Sequence, residues 1–144
     1  MLARLLDRLR PPEAPPAPGG RDGRAIGAWG ERVAARHLRR AGYRVLSRNH
    51  ATPVGEADLI CLAPDRRTFV LVEVKTRRQG PGDGDERRPE AAITARKART
   101  LRRLVEAIAR STGRAEAPWR IDVIAVRAGA GAPRIAHYER AVTG

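Results

Sequence analysis

The chain has 144 residues, enough for one compact domain with a modest core and too few for two domains of ordinary size. Hydrophobic residues make up 42% and charged residues 31%, and no apolar run nears the roughly 20 residues that span a bilayer, so an α-helical membrane protein is excluded and a cytoplasmic one expected. The formal net charge of +13 points to a polyanionic partner, nucleic acid first, whereas an aromatic content of 3% argues against a stacking platform for single-stranded bases.

The opening MLARLLDRLR interrupts its leucines with Arg and Asp and so lacks the continuous apolar segment of a secretory signal. PPEAPPAPGG follows at 11–20 and supports neither helix nor central strand. Residues 1–23 are therefore expected to be a mobile leader and linker, and 24–144 the domain. From about Arg24 to Ala41 the apolar spacing predicts a helix, closed by Gly42. Glu31 shares a stripe with Gly27, Ala34, Ala35 and Leu38, so it is expected to face inward while Arg32, Arg36 and Arg39 point elsewhere. Gly27 and Gly30 weaken that helix, which a close approach of backbone or ligand would explain.

YRVLSR at 43–48 reads as a strand, and GEADLICLAPDRRTFVLVEVK at 55–75 as two further strands around a short turn. LICLA and TFVLV are apolar at nearly every position, the pattern of strands covered on both faces. A four-residue turn at Pro64–Arg67 sets a register in which Asp58 lies opposite Glu73, on the same face, with Cβ atoms roughly 4.5 to 5.5 Å apart. Two bare carboxylates so placed repel. A divalent cation such as Mg²⁺ resolves the conflict, since hard cations take carboxylate oxygens. Lys75 shares the face of Glu73 because strand side chains alternate. The alternative is an Asp58–Lys75 ion pair with Glu73 in solvent. Cys61, the lone cysteine, can form neither an internal disulfide nor a zinc site with a second thiol and is expected to pack in the core.

TRRQGPGDGDERR at 76–88 has no apolar period and is expected to be a long exposed loop, its DGDE a fragment of a calcium loop too incomplete to bind. A second helix is expected over about Pro89–Arg110, with Ile93, Leu101, Leu104, Val105 and Ile108 as its stripe. Of the 29 lysines and arginines only two, Lys75 and Lys97, are lysine, and Lys97 falls on that stripe one turn before Leu101. In so arginine-rich a chain, a surviving lysine suggests a place where a compact ammonium is needed. WRIDVIAV and RIAHYER, separated by AGAGAP, read as two last strands. His37, His50 and His137 have no ligand spacing and are read as surface or packing residues. The element order predicts an α/β domain, a central mixed sheet flanked by helices.

Glu31 on a helix, then Asp58, then Glu73-Val74-Lys75 on the next strand, resembles the PD-(D/E)-x-K nuclease pattern. More narrowly, GAWGERVAARHLRRAGYRVLSRN, GEADLI, LVEVKTR, the helix with Lys97, and WRIDVIAV resemble in order the YraN family of predicted endonucleases, over about residues 24–142. The resemblance implies a restriction-endonuclease-like core and a metal-dependent endonuclease that hydrolyses DNA, with branched DNA as a substrate by analogy to archaeal junction resolvases. It implies Asp58 and Glu73 as ligands of Mg²⁺ or Mn²⁺, the Val74 carbonyl as a further ligand, Lys75 near the attacking water and Glu31 completing the acidic site; Lys97, from its place on the helix stripe, is a secondary candidate. His50-Ala51 and Ala57 depart from the family pattern. The expected partner is DNA, without a membrane, and a homodimer is compatible. The alternative is a noncatalytic DNA-binding or assembly module on the same fold.

Overall fold

The computed structural model describes residues 14–80 and 93–142. Helix α1 spans Gly23–Arg40 and is followed by strands β1 (Arg44–Thr52), β2 (Gly55–Leu62) and β3 (Phe69–Arg78). Helix α2 spans Ala95–Ser111, and strands β4 (Trp119–Ala128) and β5 (Arg134–Val142) complete the order. The strands form one five-stranded sheet in sequence order. Only β3 and β4 run parallel, joined through α2 as a parallel pair requires, and the other neighbours are antiparallel. The expected mixed sheet flanked by helices is what the chain forms.

Local chemistry sets the boundaries. The Asp22 carboxylate caps α1 by accepting from the Arg24 amide at 2.9 Å. At its other end Gly42, with φ +90, turns the chain so that the Tyr43 amide donates to the Leu38 carbonyl at 2.9 Å. Gly113, with φ +69, ends α2 the same way, the Arg114 amide donating to Ala109 at 2.7 Å. The start of α2 corrects the expectation: Ile93 and Thr94 precede the helix, and the Thr94 hydroxyl caps it by accepting from the Lys97 amide at 3.1 Å. Pro89 and most of the expected 76–88 loop lie outside the described residues, and β3 continues through Arg78 instead of ending at Lys75. Strand β1 also outruns its expected end and reaches Thr52, passing a bulge between Val45 and Ser47 and a positive φ of 49 at Asn49.

Both faces of the sheet are covered. On one, Trp29, Val33, Ala34, Ala35 and Leu38 of α1 pack on Leu59, Cys61, Val70, Val72, Ile124 and Val126. On the other, Leu101, Leu104 and Ile108 of α2 pack on Ala57, Ile60, Leu71 and Ile121. Cys61 is fully buried, as expected, and burial pushes its thiol up to about 12. Gly30 is where α1 touches β3, because a Cβ there would lie 1.8 Å from Thr76 Oγ1. Gly27 has open space around it, so no close approach of the protein's own backbone explains that glycine. Arg36 also departs from its expected outward course and is half-buried.

The described part of the expected linker is not detached from the domain. The Trp29 indole N–H donates to the Pro15 carbonyl at 2.6 Å, the Arg78 guanidinium donates to the Pro18 carbonyl, and Ala14 and Ala17 pack on the α1 core. Burial of the indole leaves its N–H needing a partner, and this segment supplies one. Among the described residues no helix is long and apolar enough to cross a membrane.

Candidate active site

Strands β2 and β3 pair from Leu62 opposite Phe69 to Leu59 opposite Val72, and the hairpin closes where the Ala63 amide donates to the Thr68 carbonyl at 2.8 Å. That is the register the Pro64–Arg67 turn predicts. Continued one step, it sets Asp58 against Glu73, but the paired rungs stop short of this point. Instead the Val74 amide donates to Oδ2 of Asp58 at 2.8 Å, so a side chain takes over from the backbone ladder. Such a substitution opens the sheet locally while leaving the amide satisfied.

Glu73 is 6% exposed, on the central strand β3 and on the face covered by α2. The Lys97 ammonium reaches its Oε1 at 3.1 Å from α2, and the Lys75 ammonium reaches the same oxygen at 3.5 Å. The expected Asp58–Lys75 alternative is therefore not what forms: Glu73 is buried, and both lysines face it. Helical spacing brings Lys97 here, one turn ahead of the buried Leu101. Both lysines of the chain thus converge on one carboxylate. A near-buried charge of this kind is costly unless paired.

Asp58 is half-buried, and among the described residues no cation forms an ion pair with it. Desolvation, followed by the charge of Glu73, pushes its carboxyl from 3.8 up to about 7, against the lowering effect of the Val74 amide and of Lys97. Glu31, half-buried on α1, is also raised, first by desolvation and further by the charges of Glu56 and Glu73, while the Asn49 side chain holds it down by a hydrogen bond. Glu31, Asp58 and Glu73 thus belong to one field of negative charge. Among the described residues no three acidic, histidine or cysteine side chains converge closely enough to enclose a cation by themselves.

A second polar cluster escaped the sequence reading. Asp122, 0% exposed in the middle of WRIDVIAV, lies on the α1 face of β4. Its Oδ2 accepts from His137 Nε2 at 2.8 Å, and its Oδ1 from the Arg120 Nε at 3.1 Å and the Arg140 amide at 3.0 Å. Burial acts to raise its pKa, yet these donors outweigh it and hold the carboxyl below 3.8. The Tyr43 hydroxyl accepts from Arg120 and donates to Glu139 at 3.0 Å, so the cluster ties the end of α1 to β5. His137, read as a packing residue, is one of its hydrogen-bonding members. An aspartate inside an apolar strand was the available signal.

Fold and site together define an α/β domain built on a mixed sheet, with acidic residues and two lysines gathered where β2 and β3 part. The chain belongs to the uncharacterised protein family UPF0102, whose profile matches residues 30–126 and so includes Glu31, Asp58, Glu73, Lys75 and Lys97. A UPF0102 protein of Mycobacterium avium is 45% identical over 115 residues, covering 79% of this chain and 87% of that protein. One from Anaeromyxobacter dehalogenans is 40% identical over 129 residues, covering 89% and 92% respectively. The crystal structure of a repair endonuclease from Pyrococcus abyssi is similar at a TM-score of 0.43 and 13% identity, over 80% of this chain and 42% of that one.

Proposed function

We propose that this protein is a metal-dependent nuclease of restriction-endonuclease-like type that hydrolyses DNA phosphodiester bonds, with branched or structured DNA as the substrate class to test first. The observation that carries this reading is the pair Asp58 and Glu73: two carboxylates at the parting of β2 and β3, one raised to about 7 by burial and by the other's charge. The donor set suits a hard cation. Val74 occupies Oδ2 of Asp58 and the lysines occupy Oε1 of Glu73, so the second oxygen of each carboxylate and the Val74 carbonyl would hold Mg²⁺ or Mn²⁺. Such an ion, when bound, supplies Lewis-acid polarisation of a phosphodiester and acidifies water. Lys75, about one-third exposed, is the donor able to reach an attacking water or a phosphate oxygen. Glu31, held by Asn49, adds a proton acceptor at the acidic edge.

A noncatalytic DNA-binding module is the second reading. The observation in its favour is that Glu73 is already neutralised by the protein's own lysines. Cleavage of linear, flapped, nicked and four-way DNA with Mg²⁺ or Mn²⁺, by the parent and by Asp58→Asn and Glu73→Gln, decides between them. The nuclease reading expects metal-dependent products from the parent and none from either variant. Equal products from all three proteins would remove it.

A further inference from the structure

Helix α2 carries a row of arginines that folding alone does not explain. Arg96, Arg99 and Arg103 follow the i, i+3, i+7 spacing of one helical face and are all exposed. Among the described residues none of the three is in an ion pair, and the one acidic residue of the helix, Glu106, lies beyond them. The start of the row is unfavourable for the helix itself. The first turn contains no acidic residue, so Arg96 and Lys97 add positive charge at the end where the backbone dipole is already positive. Each such placement costs roughly 0.3 to 1 kcal/mol at an exposed position. A merely solubilising face would carry mixed charges, with acids in the first turn.

The row also starts beside the site, since Lys97 reaches Glu73 at 3.1 Å from the same turn as Arg96. At 1.5 Å per residue the step from Arg96 to Arg103 is about 10 Å, which matches about three phosphate-to-phosphate steps at the roughly 3.4 Å per-strand rise of a duplex. We propose that the Arg96–Arg99–Arg103 face of α2 grips the phosphate backbone of duplex nucleic acid and aligns it with the Asp58–Glu73 site. This rests on the nucleic-acid reading above, but not on turnover.

The test is the affinity of a short duplex, followed by fluorescence anisotropy in EDTA between about 50 and 200 mM salt, where each phosphate contact contributes about 0.9 to the slope of log K against log salt. The triple variant R96Q/R99Q/R103Q is expected to lose about 2.7 from the magnitude of that slope. It is also expected to melt no lower than the parent, because relief of the dipole conflict offsets any lost contact. A control of equal charge, R32Q/R39Q/R67Q, removes exposed arginines from α1 and the hairpin turn and is expected to keep most of the slope. An equal loss in the control, or an unchanged slope in the α2 variant, overturns the proposal while nucleic-acid binding stands. A parent that cleaves nothing, with the slope loss confined to the α2 variant, removes the nuclease reading and supports this one.

Discussion

Asp58→Asn should make the metal-free protein more stable while removing its metal response. Asparagine keeps the shape and an oxygen able to accept from the Val74 amide, whose bond to Asp58 is 2.8 Å. What it removes is a carboxylate raised from 3.8 to about 7, which corresponds to about 4 kcal/mol of disfavoured ionisation at high pH. Asp58 keeps some solvent contact and the asparagine amide must itself be partly buried, so about half of this, about 2 kcal/mol, is expected as a net gain. The sign follows from proton counts. Between pH 3.8 and about 7 the folded protein holds a proton that the unfolded chain has released, so parental stability falls with rising pH across that window. The variant should therefore be no more stable than the parent near pH 3.5, and more stable by about 2 kcal/mol at pH 8. Urea denaturation at the two pH values, in EDTA, reads this directly. Added Mg²⁺ or Mn²⁺ should raise the melting temperature of the parent but not of the variant. A variant less stable than the parent at pH 8 would refute the account of Asp58 as a strained carboxylate awaiting a cation.

Lys75→Arg should cut cleavage on the order of 10²-fold to 10³-fold with DNA affinity unchanged, because a planar guanidinium pairs bidentately with the carboxylates and loses the compact donor; parental rates in this variant would make the lysine structural. Gly30→Ala should cost about 3 kcal/mol by overpacking against Thr76, and Thr76→Gly in the same chain should recover most of it in thermal denaturation; absence of recovery would place the conflict elsewhere. Asp122→Ala should cost about 3 to 5 kcal/mol at pH 7 by removing the buried carboxylate that accepts from Arg120, His137 and the Arg140 amide. Because the Asp122 carboxyl is held below 3.8, its contribution is present above that pH and lost as pH falls below it, so the parent's acid unfolding should be steeper than the variant's. A chain starting at Gly20 should be about 1 to 3 kcal/mol less stable than one starting at Ala14, since the Trp29 indole loses the Pro15 carbonyl; equal melting temperatures would show that contact to be dispensable.

Much of the site could be read before the fold was known, because short-range rules govern it. A four-residue turn and the period of two set the register that brings Asp58 toward Glu73, and continuous apolar runs announced a sheet covered on both faces. Helical spacing from Leu101 carried Lys97 to Glu73, and Gly42 and Gly113 ended their helices through local backbone conformation. Local rules left other features undecided. Nothing near Glu31 indicated that Asn49 would bond to it, since the positive φ there arises within the irregular β1–β2 pairing. The Asp122 cluster joins Tyr43 to residues 77 and 96 positions away, and no periodicity reaches that far. Docking of Pro15 and Pro18 likewise depends on where α1 and β3 place Trp29 and Arg78. Sequence alone determined which residues face each other across one turn, hairpin or helix face. Tertiary packing decided which polar groups, once buried, had to find partners from distant strands, because only the assembled layers exclude the water that would otherwise have satisfied them.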